Sequence, residues 1–114
     1  MIDFSKISNV WFVGIGGIGM SALARYFAAG GLLTGGYDRT ASEITSALIS
    51  EGIRVIYEDK PDEIPRDFRD TDKTLVIYTP AVQTSNRILE HCRTGGYAVR
   101  KRSEVLGLIS RNTR

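Results

Sequence analysis

The feature that most constrains this chain is a strand-forming run that stops abruptly on glycine. Val10-Trp11-Phe12-Val13 is continuous, apolar and β-favouring, and Gly14-Ile15-Gly16-Gly17-Ile18-Gly19 follows at once. Such a run reads as a strand covered on both faces within a parallel sheet. Beyond the glycines, Met20, Leu23, Ala24, Phe27 and Ala28 recur at the three- and four-residue steps that line one side of a helix, and Gly30-Gly31 can close it. Glycines 14, 16 and 19 therefore form a GxGxxG turn between strand and helix. Gly14 permits the tight turn, Gly16 lets the backbone approach a ligand, and Gly19 allows helix and strand to pack closely. Unpaired amides from about Ile18 to Ser21 then point at a bound anion, and the helix dipole adds partial positive charge. A diphosphate fits that geometry.

The rest of the chain repeats the alternation. Residues 32–37 give a second strand. Thr40 and Glu43 have the spacing of a reciprocal helix cap, followed by Ile44, Ala47 and Leu48 on one face and a stop at Gly52. Residues 54–57 and 74–78 are the third and fourth strands, residues 85–94 a helix with Ile88, Leu89 and Cys92 inward, and residues 97–99 a fifth strand. A last helix over residues 103–111 has Ser103 available as cap and Glu104 in its first turn. Strands alternating with helices of about ten residues call for right-handed crossovers. The expected fold is α/β: a Rossmann-like, doubly wound parallel sheet of about five strands with helices on both faces. Residues 58–72 carry seven acids, three bases, Pro61 and Pro65. They read as a surface loop with at most a short helical turn.

Asp38 stands 24 residues after Gly14, at the end of the second strand, where an acid can accept hydrogen bonds from ribose hydroxyls. Glycines, strand, helix and distal acid together point to nucleotide-diphosphate binding. The plainer alternative is close helix packing with Asp38 as a surface turn residue. Two other functions fit the same pattern: an NAD(P)-binding domain of an oxidoreductase, in which Asp38 repels a 2′-phosphate, and a nucleotide-sensing regulatory module.

Composition narrows the field further. At 114 residues the chain is one domain long. Fifteen Lys and Arg against thirteen Asp and Glu leave a net charge of +2, too small for whole-surface attraction to nucleic acid or anionic lipid. One Cys and one His cannot build a zinc cluster, a CxxC pair or an internal disulfide. Residues 1–6 carry no secretory pattern and no apolar run approaches the ~20 residues of a membrane span, so a cytoplasmic location is expected. His91 has no nucleophile pattern around it and reads as a half-exposed helix residue, Cys92 and the Trp11-Phe12 pair as core. The Arg100-Lys101-Arg102 run reads as solvated charge, without the recognition helix that nucleic-acid binding requires.

Residues 13–24, Val-Gly-Ile-Gly-Gly-Ile-Gly-Met-Ser-Ala-Leu-Ala, closely resemble the opening of the UDP-N-acetylmuramate:L-alanine ligases of the Mur ligase family. Further matches follow in family order: Gly36-Tyr37-Asp38, the stretch from Val76 through Thr79-Pro80-Ala81 to Val82, Asn86, and Val99 through Arg102-Ser103-Glu104 to Leu106. The resemblance implies a Rossmann-like N-terminal domain, residues 1–114, that holds the UDP part of UDP-N-acetylmuramate and no nicotinamide. By motif, Ile15, Gly16, Gly17, Ile18, Gly19, Met20 and Ser21 would hold the diphosphate and Asp38 would face the uridine. Thr79, Pro80 and Ala81 would line the sugar-nucleotide cleft, with Arg102 near the anion. Two positions depart from the family, which usually has Ser at Tyr37 and commonly Pro at Arg87.

The family's ATP-binding loop is not in this sequence, which has no GxxxxGK[ST] pattern and thus no lysine-bearing phosphate cradle. The resemblance implies ATP and magnesium in the full-length enzyme, bound by central and C-terminal domains outside these residues. The expectation is a piece ending at a domain boundary that binds the sugar nucleotide, carries no catalytic residue or metal of its own, and does not ligate alone.

Overall fold

A computed structural model describes residues 3–112; Met1, Ile2, Thr113 and Arg114 lie outside the described residues. Five strands, β1 (Asn9–Val13), β2 (Leu33–Tyr37), β3 (Arg54–Ile56), β4 (Thr74–Tyr78) and β5 (Ala98–Lys101), form one sheet in the order β3-β2-β1-β4-β5. All pairings are parallel. The helices are α1 (Ile18–Ala29), α2 (Glu43–Ser50), α3 (Arg87–Thr94) and α4 (Arg102–Asn112). The predicted doubly wound α/β fold is therefore observed. Winding runs outward from β1 in one direction to β3 and in the other to β5, so the order reverses between β1 and β4, and open α/β sheets bind ligands beyond the strand ends at such a reversal.

The two-residue period of β1 divides the core. Val10 and Phe12 point into one cluster with Met20, Leu23, Ala24 and Phe27 of α1, Leu48 of α2 and Val105 of α4. Trp11 and Val13 point into the other with Ile64, Phe68, and Ile88, Leu89 and Cys92 of α3. Both faces of the sheet are covered, which explains why β1 is an unbroken apolar run. Trp11 packs its ring 5.0 Å from that of Phe68, while its indole N–H is buried without a hydrogen-bond partner.

Four local expectations change. The acidic segment is not merely a surface loop: two short 3-10 turns, Pro61–Glu63 and Arg66–Phe68, carry it across the sheet. They bury Ile64 and Phe68 beneath its exposed charges. The prolines forbid a long helix, and the two apolar residues supply the cover that such a helix would give. The cap of α2 lies two residues later than Thr40 and Glu43 suggest. Ser42 Oγ accepts from Thr45 N–H at 3.1 Å and Thr45 Oγ1 accepts from Ser42 N–H at 2.9 Å. Thr40 is held outside the helix, its N–H donating to Asp38 Oδ1 at 3.0 Å. Helix α3 starts after Asn86, whose Oδ1 accepts from Leu89 N–H at 2.8 Å. Helix α4 starts at Arg102, so Ser103 lies inside it, and β5 runs on to Lys101. Glu104 accepts from Lys101 N–H at 3.0 Å and joins strand to helix.

Candidate functional site

The carboxyl ends of β1, β2, β3 and β4 open onto a cleft of 740 Å³. Its first wall is the turn between β1 and α1. Gly14 sits at φ +95°, a region that residues with a Cβ rarely occupy, and so turns the chain sharply off β1. The N–H groups of Gly14 and Ile15 both donate to Tyr37 O, at 2.8 and 3.0 Å, and tie the turn to the end of β2. Gly16 N–H donates to Asp38 Oδ2 at 2.7 Å. The close approach that Gly16 permits is thus already made by the protein's own carboxylate.

Helix α1 then begins. Ser21 N–H donates to Gly17 O at 2.8 Å, so Ser21 is not among the open donors expected from sequence. The N–H groups of Ile18, Gly19 and Met20 have no acceptor within the helix and make no hydrogen bond among the described residues. The Arg102 guanidinium lies against this helix start: a Cβ built on Gly19 would stand 2.8 Å from Arg102 Nη1 and 3.0 Å from its Cζ. What Gly19 makes room for is therefore this cation, and not the close helix–strand packing expected from sequence. Arg102 forms none of the ion pairs found among the described residues. Three open amides at a positive helix end thus lie beside a guanidinium that has no ion-pair partner among the described residues.

Tyr37, Asp38, Arg39 and Thr40 at the end of β2 make the second wall, with Tyr57 and Asp59 beyond β3. Burial, and then the Asp59 and Asp38 carboxylates, push the Tyr37 phenol above its usual range. It stays protonated at neutral pH and keeps a hydrogen to donate. Tyr57 Oη donates to Thr45 Oγ1 at 2.9 Å. Asp59 accepts from the N–H groups of Arg87 and Ile88, both at 2.8 Å, and fastens the acidic segment to the start of α3. The third wall is the loop between β4 and α3, where Thr79, Ala81, Val82, Gln83, Ser85 and Asn86 face the cleft.

The residues singled out from sequence are thus distributed unequally. Gly17, Asp38, Thr79 and Ala81 line the cleft; Pro80 is exposed between two lining residues but does not itself line it. Ile15 and Met20 turn their side chains into the core, leaving only main chain to the site. Ser21 is buried and donates its hydroxyl to Ile18 O at 3.0 Å. Ile18 is 83% exposed, a large apolar side chain left outside at the head of α1. Arg39, Thr40, Tyr57, Asp59, Gln83 and Ser85 are cleft residues the sequence reading did not single out. Each follows the carboxyl end of a strand, and that position alone is the signal for them.

Neither His91 nor Cys92 lines the cleft. His91 is exposed on α3 with its ring 6.3 Å from that of Tyr97. Cys92 is buried, its thiol pushed up to about 12 by burial, so it stays neutral and unreactive. Among the described residues no three of His, Cys, Asp or Glu are grouped to hold a metal ion, and no helix is long and apolar enough to cross a membrane.

Known proteins resemble this chain in sequence and in fold. The family described as "Mur ligase family, catalytic domain" matches residues 9–114. The UDP-N-acetylmuramate–L-alanine ligase of Parabacteroides distasonis is 49% identical over 113 residues, 99% of this chain and 24% of the relative. That of Phocaeicola vulgatus is 47% identical over 109 residues, 96% of this chain and 24% of the relative. The crystal structure of the corresponding ligase from Thermotoga maritima superposes with a TM-score of 0.79 at 30% identity, covering 93% of this chain and 24% of that one. The chain therefore spans about a quarter of the length of the curated relatives it matches. With near-complete coverage at close to half identity, and the same sheet in a solved relative, this chain belongs to the Mur ligase family.

Proposed function

We propose that this chain is the UDP-sugar-binding, N-terminal domain of an ATP-dependent ligase of peptidoglycan synthesis, and that it holds UDP-N-acetylmuramate for joining to L-alanine in the cytoplasm. The observation that carries the reading is the cluster of three unpaired amides, Ile18 to Met20, beside Arg102 at the start of α1; none of these residues lines the cleft itself, but they follow directly on Gly17, which does. A diphosphate bridging two alcohols carries two negative charges, which a helix N-terminus and a guanidinium neutralise together. The nucleoside then extends toward Tyr37, Tyr57, Asn86 and Gln83, a stretch of polar and aromatic side chains suited to a base and a ribose. The relatives' names supply the substrate, since each acts on UDP-N-acetylmuramate.

ATP and magnesium belong to such a ligase as a whole, but the residues here do not fit them. The sequence has no lysine-bearing phosphate loop, and among the described residues no three of His, Cys, Asp or Glu are grouped to hold a metal ion. The step that activates the sugar acid is therefore assigned to other domains of the ligase, and this chain's share is to grip the nucleotide and orient the sugar. Calorimetric titration with UDP-N-acetylmuramate, UDP and NADH tests the reading. Both uridine compounds should bind and NADH should not. Binding of NADH without UDP would replace the reading by a dehydrogenase-type cofactor domain, and no binding of UDP-N-acetylmuramate would reject it.

A further inference from the structure

We propose that Asp38 is a positioning residue, an internal carboxylate that clasps the glycine turn to the loop after β2 and thereby sets where a bound diphosphate can lie. An acid at the end of the second strand of such a sheet is ordinarily read as a ribose contact. The geometry here gives Asp38 other work. Its Oδ2 accepts from Gly16 N–H at 2.7 Å and its Oδ1 from Thr40 N–H at 3.0 Å, so each oxygen already serves a backbone amide, one on each loop. The first distance is that of a charge-assisted hydrogen bond. A Cβ on Gly16 would stand 2.7 Å from Oδ2 and 3.0 Å from Cγ of Asp38. The space that glycine leaves at position 16 is thus filled by this carboxylate.

The consequence reaches the ligand, and so rests on the function proposed above. A phosphate oxygen cannot take the Gly16 amide while Asp38 holds it, and a second anion beside the carboxylate is repelled. The free donors that remain are those of Ile18, Gly19 and Met20, with Arg102 next to them. Asp38 therefore shifts the diphosphate away from the turn and onto the start of α1. It also fixes the turn before ligand arrives, since the same carboxylate joins Gly16 to Thr40 across two separate loops.

Two measurements on the intact chain separate a clasp from a ribose contact. In hydrogen exchange followed by NMR, the Gly16 amide should be protected in the free wild-type protein and exchange about tenfold faster or more in Asp38→Ala, while the amides of β1 keep their protection. Asp38→Asn retains one acceptor oxygen and should fall between the two, which covers the case of an alanine variant that folds poorly. In calorimetry, UDP and 2′-deoxy-UDP should both lose about tenfold in affinity for Asp38→Ala, so that the preference of wild type between them is unchanged. Unaltered Gly16 exchange in both variants overturns the clasp. So does a loss confined to UDP, which makes Asp38 a reader of the 2′-hydroxyl. If wild type binds neither nucleotide, the proposed function fails and the exchange measurement alone decides the role of Asp38.

Discussion

Gly16-Gly17 in the turn before α1 and Gly35-Gly36 within β2 are glycine for different reasons. A Cβ on Gly36 would stand 2.5 Å from Phe12 O and 3.0 Å from Ile15 Cβ. On Gly35 it would stand 2.9 Å from Arg54 O and 3.0 Å from Phe68 Cζ. These are the neighbouring strands and the core, which cannot retreat. Gly16 meets the Asp38 side chain, and on Gly17 a Cβ would find nothing nearer than 3.8 Å. In β2 the missing side chains serve the fold, whereas at Gly17 the fold has no need of a missing side chain. The open space there borders the cleft, which is where a ligand would account for it.

The contrast predicts opposite behaviour on adding one methyl group. Gly36→Ala pushes against a backbone carbonyl of β1 in the middle of the sheet, and overpacking of this kind costs about 3 kcal/mol. For a chain of this size the melting temperature should fall by roughly 10 °C or more, measured by circular dichroism. Affinity for UDP should fall only in proportion to the unfolded fraction. A Gly36→Ala protein with wild-type melting would mean that β2 and β1 can separate, and the distinction between the pairs would fail.

This distinction explains what the sequence made legible. Strand β1, the turn and α1 are readable because three local rules agree: an apolar run, glycines at set intervals and a helical stripe. Strand β4 is readable from its apolar, β-favouring run alone, and its expected bounds, residues 74–78, are those observed. The cap of α2 was not, because Thr40 and Ser42 both have acceptable cap chemistry; a long-range partner, Asp38, takes the Thr40 amide and leaves the cap to Ser42. Nor was the burial of Ile64 and Phe68, whose neighbours are charged and whose periodicity is broken by Pro61 and Pro65. The same holds within the cleft. The glycine turn and Asp38 announce themselves, but Tyr57, Asp59 and Gln83 enter the cleft only through the order of strands in the sheet, and one-dimensional spacing does not contain that order. That Asp38 points at Gly16 is likewise invisible in sequence, where the interval between them suits a ribose contact equally well.

Gly17→Ala is the sharper half of the comparison. Gly17 has φ −67° and ψ 153°, values that alanine adopts without strain. As the residue that caps α1, alanine is a few tenths of a kcal/mol to about 1 kcal/mol less favourable than glycine, and the lower entropy of its unfolded chain returns a similar amount. Melting should therefore stay within a few degrees of wild type. Affinity for UDP, measured by calorimetry, should drop about tenfold if the diphosphate approaches the main chain at this point. Unchanged melting together with unchanged affinity would leave Gly17 without any reason to be glycine and would move the diphosphate elsewhere.

The smallest effect is expected at Gly19, where the obstacle is neither main chain nor ligand but the tip of a flexible side chain. An added Cβ meets Arg102 Nη1 at 2.8 Å, and the guanidinium can swing aside at little cost. Since alanine favours the helix over glycine, Gly19→Ala should melt at or slightly above the wild-type temperature. What it removes is the placement of the cation, so affinity for UDP should fall only a few-fold. If the loss runs through Arg102, then Arg102→Ala and Gly19→Ala measured singly and together must be non-additive, the double variant losing hardly more than Arg102→Ala alone. Additive losses would mean that the methyl group obstructs the diphosphate directly, which would make Gly19 a second Gly17 and place the ligand closer to the axis of α1 than the position of Arg102 indicates.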